Sequence, residues 1–428
     1  MARPDLTDCH EYLAALDQNQ PSPLSPTDLK VPTLMSTDTQ NTRLPLTSAQ
    51  YGIWLALRLG SAGETMNWGE YLEIDGPLDT AAFADALRRA VAETDALRAR
   101  FGVDGFGEPY QIIAREYELP FTMLDLRGEA DAYGAAEAAM REDVEQPVDI
   151  GEDVLFREIL FRVGEEKYLW YWRLHHIVMD GFGHALFVRR VADLYEAITT
   201  GAAPDVAFTP LAELVAEERR YLDSTASDED RAYWRARFAD RPAPLRLTAR
   251  SADPSIAILR KSTQLSAAEF ERLQELAGEL GVDWSRLLIA LFAAYLHRVT
   301  GSHDVVMSLP VTGRSPGVAR RVPGMMSKVL PLRLHVRPDM TLAELAGHVA
   351  VEVADVLRHQ RYRVEELRRS LALPGDDTMF FGPLLNILRF DQRIAFGPCG
   401  TVLHHFMTGR VEDLQVVADR RSSGASRR

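Results

Sequence analysis

The pattern of hydrophobic and polar positions changes its period between residues 168 and 198. From 168 to 176 the side chains are aromatic and β-favouring, which predicts a buried strand. One face of this strand carries the alternate residues Tyr168, Trp170, Trp172, Leu174 and His176. Beyond the turn, apolar residues recur at a helical spacing, at Leu186, Phe187, Leu194 and Ile198. The pattern therefore predicts a strand and a helix joined by a tight turn that holds two imidazoles, a carboxylate and a glycine.

Patterns before this run predict the rest of a mixed sheet with flanking helices. Strands are expected at 70–76, 109–114 and 154–163. A helix is expected to begin after Asp79, and the helix beyond the turn should cover 183–199. These elements together predict an α/β lobe with the turn at one end of its sheet.

The second half of the chain repeats the order of helix, strand and strand. Two capping boxes, at 266–269 and 341–344, each predict the start of a helix. An apolar helix is expected at 285–299, and strands are expected at 304–309 and 329–336. The order mirrors the first half, although no repeat is visible in the sequence itself.

The regular pattern is interrupted between residues 201 and 253, which indicates a boundary between two lobes. We expect a first lobe at 44–215 and a second at 216–428. Residues 1–43 are rich in Pro, Ser, Thr, Asp and Gln, and we interpret them as a mobile leader.

Composition excludes several classes of protein. The 428 residues carry a formal net charge of −14, which argues against nonspecific binding of nucleic acid. No apolar run is long enough to span a membrane, and no secretory signal is apparent. The two cysteines, Cys9 and Cys399, are far apart, which argues against a disulfide framework and fits a cytoplasmic protein.

The turn residues have structural as well as chemical interpretations. Asp180 could cap the following helix, or it could hold an arginine in an ion pair, and a structural role is favoured. His175 and His176 are adjacent, so a continuing strand would direct them to opposite sides. A metal site is not expected, because the next histidine is His184 and no cysteine lies near.

Residues 175–181, His-His-Ile-Val-Met-Asp-Gly, resemble the HHxxxDG signature of condensation domains of nonribosomal peptide synthetases. A second histidine pair, His404 and His405, lacks the aspartate and the change from strand to helix. We assign no catalytic role to that second pair.

Further stretches are similar to the motifs of this family, in the same order along residues 44–419. Residues 47–54 resemble SxAQxRLW, with Thr47 in place of serine and Gly52 in place of arginine. Residues 324–333 resemble GxxxNxLPLR, with Lys328 at the asparagine position. Other matches are 93–101 with the second motif, 359–362 with HQRY, and 381–387 and 409–414 with stretches of starter-type domains.

The resemblance implies an α/β (α+β sandwich) fold of two chloramphenicol acetyltransferase-like lobes, arranged in a V around a central channel. Family members continue beyond the strand near 411–417 with another strand and a closing helix. Here the sequence runs instead into Ser-Ser-Gly-Ala-Ser-Arg-Arg. We therefore expect a second lobe that is either truncated or closed differently.

The implied reaction is attack by the amine of an acceptor aminoacyl thioester on a donor acyl thioester. His176 would accept the amine proton or hold the amine, and His175 would pack and hydrogen-bond beneath the site. The Gly181 N–H would stabilise the oxyanion, and Asp180 would keep the turn in shape. Arg314 would be the ionic partner of Asp180, although a solvated loop arginine is an equal alternative.

The same resemblance implies that the chain itself binds no cofactor. Phosphopantetheine arms would be carried by the partners, which are donor and acceptor peptidyl carrier domains of neighbouring synthetase modules. Three alternatives stay open on the sequence alone: an ester-forming acyltransferase of the same superfamily, an epimerase, and a noncatalytic recruitment domain.

Overall fold

The computed structural model describes most of the chain in nine stretches. They are residues 42–59, 66–204, 206–243, 245–247, 259–363, 366–367, 382–388, 394–407 and 413–419. The expected leader at 1–43 therefore lies outside the described residues, except for Thr42 and Arg43, which belong to a strand.

Three sheets organise these residues, and their strands are numbered in chain order. The bounds are β1 Thr42–Pro45, β2 Asn67–Asp75, β3 Ala99–Val103, β4 Pro109–Ile113, β5 Phe121–Asp125, β6 Phe156–Gly164, β7 Lys167–His175, β8 Asp304–Val311, β9 Lys328–His335, β10 Leu384–Leu388, β11 Gly400–Met407 and β12 Gln415–Asp419. The largest sheet has the order β11-β2-β7-β6-β5, the second β12-β10-β8-β9, and the smallest β1-β4-β3.

Nine α-helices are described besides these sheets. They are α1 Ser48–Leu59, α2 Thr80–Glu93, α3 Ala132–Glu145, α4 Gly181–Thr200, α5 Leu211–Leu222, α6 Thr225–Arg237, α7 Ala267–Glu279, α8 Trp284–Thr300 and α9 Leu342–Arg358. The described residues also form two short 3₁₀ helices, Asp95–Arg98 and Val318–Arg320. Asp79 caps α2, as its position predicts, and both predicted capping boxes are present.

The centre of the large sheet is buried on both faces. Tyr168, Trp170 and Trp172 of β7 lie on one face, in the larger hydrophobic core. Leu169 and Tyr171 lie on the other face, in a smaller core that α3 covers. The predicted alternation of β7 is confirmed, but helix α3 was not predicted, because its polar and small residues give only a weak apolar stripe.

A separate hydrophobic core lies in the second lobe. It is formed by β8, β9 and β10 together with α8 and α9. Helix α8 and strands β8 and β9 begin and end within two residues of the predicted bounds, and Gly301 ends α8 in the left-handed conformation. No strand was predicted at the position of β10.

Strand β11 departs from the predicted assignment of all of 216–428 to the second lobe. It pairs antiparallel with β2, at the edge of the first-lobe sheet. The register places Leu403 opposite Leu72 and His404 opposite Tyr71. The second half of the chain thus returns to complete the first sheet, which covers what would otherwise be an exposed edge at β2. In the described stretches, no helix is both long and apolar enough to cross a membrane.

Candidate functional site

The turn between β7 and α4 brings together the residues that the sequence singled out. Strand β7 ends at His175, and α4 begins at Gly181. The His176 backbone N–H donates to the Met66 carbonyl at 2.9 Å, which ties the turn to the chain entering β2. The backbone of the turn is therefore fixed by β7, by α4 and by this hydrogen bond to Met66.

Asp180 has both of the structural roles that the sequence left open. Its Oδ1 accepts from the Gly183 backbone N–H at 2.7 Å, which caps α4. Its Oδ2 lies 2.6 Å from Arg314 Nη1 and also accepts from the backbone N–H groups of Met326 and Ser327, at 2.9 and 2.8 Å. With 2% of its surface exposed, this carboxylate is buried and fully engaged.

Arg314 reaches Asp180 from the segment that follows β8. It is 4% exposed, so it is not a solvated loop arginine. Its Nη2 donates to the Gly324 carbonyl at 3.0 Å, and its guanidinium lies 4.7 Å from the ring centre of Phe182. The pair thus joins the turn of the first lobe to two segments of the second.

Gly183 allows these segments to cross closely. A Cβ atom at this position would lie 2.7 Å from the Gly324 nitrogen and 2.9 Å from its oxygen. Both are backbone atoms, which cannot move aside without displacing the chain. A residue other than glycine would force the two lobes apart at the site.

His175 is a structural member of the turn. It is 1% exposed, and its Nδ1 accepts from the Ile177 backbone N–H at 3.1 Å. Burial, together with smaller effects of the neighbouring His176 and Arg173, lowers the pKa of His175 to about 3. The ring is therefore neutral and carries its proton on Nε2.

His176 is half-buried and faces a different environment. Its ring stacks on Trp68, with 5.8 Å between ring centres and 26° between planes. Neither of its ring nitrogens has a hydrogen-bond partner in the stretches that the structure describes. Burial lowers its pKa to about 4, against the opposing effect of the Asp180 carboxylate, so the ring is a neutral acceptor at neutral pH.

Gly181 is exposed at the first turn of α4. Backbone N–H groups in the first turn of a helix have no acceptor within the helix, and the helix dipole adds positive potential there. A neutral imidazole and a helix N-terminus therefore lie within six residues of each other in the chain. This combination suits a reaction in which an oxygen becomes negative while a proton is removed.

Three of the other family-like motifs, at 47–54, 324–333 and 359–362, are linked to one another by hydrogen bonds. Thr47 Oγ1 donates to the Met325 carbonyl at 3.2 Å, beside the backbone that holds Asp180. Lys328 Nζ donates to the Arg361 carbonyl at 2.5 Å, in a cleft that Thr47 and Glu217 also line. His359 Nδ1 lies 2.7 Å from Asp230 Oδ1. The lysine at the asparagine position thus joins β9 to the HQRY stretch.

The second histidine pair lies elsewhere. His404 is on β11, where its ring stacks on Tyr71 with 4.5 Å between ring centres. Its Nε2 lies 3.2 Å from Glu73 Oε2. These contacts fasten β11 to the sheet and are remote from the turn.

Sequence reasoning missed three groups at the site. Trp68, which stacks on His176, comes from β2, and only the β2–β7 register shows that it lies opposite Leu174. Met326 and Ser327 contribute backbone N–H groups, which every residue except proline has, so their role cannot be predicted from the type of residue. No group of three or more His, Cys, Asp or Glu side chains suited to a metal ion occurs in the described parts of the chain.

Comparison with protein families matches residues 40–395 to the model described as "Condensation domain". Among curated proteins, the chain is 42% identical over 387 residues to the isonitrile lipopeptide synthase of Streptomyces coeruleorubidus, covering 90% of this chain and 26% of the relative. It is 37% identical over 392 residues to the dimodular nonribosomal peptide synthase of Bacillus subtilis (strain 168), covering 91% of this chain and 16% of the relative. The chain thus spans about a quarter or less of these relatives.

Solved structures agree with these matches. The starter condensation domain of rhizomide synthetase, as a variant in complex with C8-CoA, superposes with a TM-score of 0.82 at 37% identity, covering 88% of this chain and 86% of the neighbour. The first condensation domain of the calcium-dependent antibiotic synthetase, in complex with a substrate analogue, gives a TM-score of 0.80 at 38% identity, covering 89% and 88%. With TM-scores of 0.80 and 0.82, this chain has the same fold as these two condensation domains.

Proposed function

Because the chain belongs to the condensation-domain family of nonribosomal peptide synthetases, we propose that it joins two carrier-bound substrates at the His176 turn. Condensation domains are acyl-transferring enzymes that form amide bonds between such substrates. The donor is an acyl thioester and the acceptor an aminoacyl thioester, each tethered through phosphopantetheine to a carrier domain. The carriers belong to neighbouring modules, and the small number of cysteines fits work in the reducing cytoplasm.

In the reaction the acceptor nitrogen attacks the carbonyl carbon of the donor thioester. A C–N bond forms, the C–S bond breaks, and the amine proton passes finally to the departing thiolate. Because a thioester is already activated, holding two tethered reactants in line accounts for much of the rate. Well-oriented intramolecular reactions reach effective molarities of about 10⁵ to 10⁸ M.

The single observation that carries this proposal is the state of His176. Its ring is neutral, and its nitrogens have no partner among the described residues. A neutral imidazole accepts a hydrogen bond from the attacking amine and receives its proton as the C–N bond forms. General base catalysis of this kind contributes about 10²- to 10⁴-fold.

The Gly181 backbone N–H supports the same step from the other side. As the amine attacks, the donor carbonyl oxygen becomes negative, and a donor at a helix N-terminus stabilises that charge. The Asp180 cap fixes the first turn of α4, and Arg314 fixes Asp180. These two residues act on the geometry of the turn and do not touch the reacting atoms.

The test is identification of the product. The protein is mixed with a donor-loaded carrier and an acceptor-loaded carrier, and the acceptor carrier is examined by mass spectrometry. We expect the acceptor carrier to gain the donor acyl mass. Mild alkaline hydroxylamine, which cleaves thioesters and esters, should then release the acceptor amino acid with the donor acyl group still attached through an amide.

Parallel reactions with hydroxy-acyl acceptors distinguish the ester-forming alternative. Efficient product only with an alcohol acceptor would overturn amide formation. No product with either acceptor, from folded protein and a broad donor panel, would favour a noncatalytic recruitment domain.

A further inference from the structure

Two of the groups that hold the Asp180 carboxylate come from a segment outside the helices and strands. The backbone N–H groups of Met326 and Ser327 donate to Asp180 Oδ2 at 2.9 and 2.8 Å. Residues 325–327 have no regular secondary structure, and β9 begins only at Lys328. Hydrogen bonding within a helix or sheet therefore does not fix the direction of these two N–H groups.

Thr47 anchors this segment on its N-terminal side. The side chain is 2% exposed, and its Oγ1 donates to the Met325 carbonyl at 3.2 Å. The same oxygen accepts from the Gln50 backbone N–H at 3.2 Å, in the first turn of α1. One hydroxyl of the first lobe thus holds the residue that precedes the two donors.

Lys328 anchors the segment on its C-terminal side. Its ammonium donates to the carbonyls of Arg361 and Tyr362, at 2.5 and 3.4 Å. These acceptors belong to a well-packed region, because Tyr362 is 3% exposed in the second-lobe core and Trp234 Nε1 donates to the His359 carbonyl at 2.9 Å. The residue that follows the two donors is therefore tied to the second lobe.

Packing alone does not restrict the segment between these anchors. Thr47, Met326 and Lys328 line a common cavity of about 20 Å³. A cavity of this size has room for about one water molecule, so the backbone beside it is not fixed by close-packed neighbours. The hydrogen bonds of the two side chains supply the missing restraint.

We propose that Thr47 and Lys328 are positioning residues that direct these two N–H groups at Asp180. The inference rests on the proposed function. Asp180 caps α4, whose first residue, Gly181, carries the proposed oxyanion donor, so a shift of the carboxylate displaces that donor. Thr47 and Lys328 occupy two positions where the sequence differs from the family motifs, and they act on the same short segment.

The kinetic test removes the hydrogen bonds and keeps the shape of the side chains. Lys328→Met retains the apolar stem and loses the ammonium, so kcat for condensation should fall about tenfold, as expected for a lost hydrogen bond of a charged group. KM for the loaded carriers should change by less than about twofold, because the geometry of the reaction is altered rather than carrier binding. Thr47→Val should lower kcat severalfold, whereas Thr47→Ser keeps the hydroxyl and should restore it.

Lys261→Met is the matched control, because Lys261 is an exposed residue of the second lobe outside the helices and strands. The control should retain the wild-type kcat and KM. An equal loss of kcat in Lys261→Met and Lys328→Met, or an increase in KM without a change in kcat, would overturn the inference.

Hydrogen–deuterium exchange with mass spectrometry provides a readout that does not depend on turnover. The amides of Met326 and Ser327 should exchange about tenfold faster in Lys328→Met, because one of their two anchors is lost. Exchange in β7 should stay at the wild-type rate, which distinguishes local loosening from a general loss of stability. If Lys328→Met does not fold, Thr47→Val gives the same comparison.

The two readouts separate this inference from the proposed function. Faster exchange at 326–327 in a protein whose wild type condenses no substrates would refute the proposed function and leave the positioning of the N–H groups intact. Unchanged exchange in both variants, or an equal increase throughout the chain, would overturn the positioning role while amide formation by the wild type stands.

Discussion

The cores of the two lobes differ in how they treat polar groups. The second-lobe core is built from aliphatic side chains around α8, α9 and their sheet, and its buried Trp234 donates to a carbonyl. Within the described residues, two buried side-chain polar atoms of the second lobe have no partner, Arg314 Nε and Gln360 Oε1, and neither residue belongs to that hydrophobic core. The first-lobe core contains three histidines with lowered pKa values and a protonated glutamic acid. It also contains buried polar atoms that have no partner among the described residues, in Trp68, Glu158, Trp172 and His184.

This difference between the two cores indicates that they serve different purposes. A core that only has to be stable satisfies its polar atoms or omits them. The core that borders the His176 turn instead retains neutral histidines and unsatisfied donors, at the expense of stability. Asp180 and Arg314 lie where the two meet, and they hold the turn of the first lobe against the segments of the second.

The largest effect on stability is expected when this connection is broken. Asp180→Ala leaves Arg314 buried without its partner and removes the cap of α4, so it should lower the free energy of unfolding by about 3 to 5 kcal/mol. Denaturant unfolding measures the loss. The control is Asp85→Ala, which breaks two exposed helix pairs with Arg88 and Arg89 and should change stability by less than about 1 kcal/mol. Equal losses in the two variants would contradict the bracing role.

A smaller loss is expected from filling the crossing point between the lobes. In Gly183→Ala the new Cβ meets the Gly324 backbone at 2.7 Å, so the free energy of unfolding should fall by about 1 to 3 kcal/mol. Gly347→Ala is the matched control, because its Cβ meets no atom within 4 Å inside α9. There alanine should stabilise the protein by about 0.5 to 1 kcal/mol. Opposite signs in thermal unfolding would support the close crossing, and a neutral Gly183→Ala would refute it.

The pH dependence of stability should differ in sign between two buried residues of the first lobe, His184 and Glu158. Burial lowers the pKa of His184 to about 3, so between pH 6.5 and 3 the unfolded chain takes up a proton that the folded chain does not. Stability contributed by the neutral ring is therefore lost as the pH falls, by about 1.4 kcal/mol per pH unit. His184→Gln should reduce the slope in urea unfolding between pH 6 and 4.5 by about that amount, and the same-signed contributions of His175 and His176 should remain.

Glu158 behaves oppositely, because its raised pKa of about 8 means that the folded chain retains a proton that the unfolded chain loses above pH 4.5. Its contribution is lost as the pH rises towards 8, again by about 1.4 kcal/mol per pH unit. Glu158→Gln should flatten stability between pH 5.5 and 7.5. Two slopes of the same sign would show that burial does not control these groups.

The smallest effect should come from the other histidine pair. His404→Ala removes a partly exposed contact with Glu73 and a stacking contact with Tyr71. We expect a loss of less than about 1 kcal/mol and unchanged turnover. A large loss of activity in this variant would mean that β11 affects the site.

The elements predicted correctly are those marked by a short sequence pattern, such as a helix cap or a change of hydrophobic period. The change of period at Asp180, the cap at Asp79 and the two capping boxes lie at the positions where the sequence places them. Strand β5 was not predicted, because it has only five residues. Helices α3 and α6 were not predicted, because many of their residues are small or polar and give a weak apolar stripe. The pairing of β11 with β2 joins residues more than 300 positions apart, and no local pattern encodes such a register.

The residues of the candidate site also fall into a group that the sequence predicted and a group that it did not. The HHxxxDG pattern indicated the turn, and Asp180 and Arg314 are in contact in the structure. The surroundings of His176 depend on tertiary packing: Trp68 arrives from another strand, and Met326 and Ser327 contribute only backbone groups. A sequence pattern names the residues of a turn but not the neighbours that set its pKa values.

The most direct test of the account is the turnover of His176→Ala beside His404→Ala, each with its free energy of unfolding. Both variants remove one imidazole, and only the first removes the proposed base. We predict that His176→Ala loses about 10²- to 10⁴-fold in condensation rate, with a stability change below about 1 kcal/mol, while His404→Ala retains its rate. Wild-type turnover in a folded His176→Ala protein would contradict the central claim.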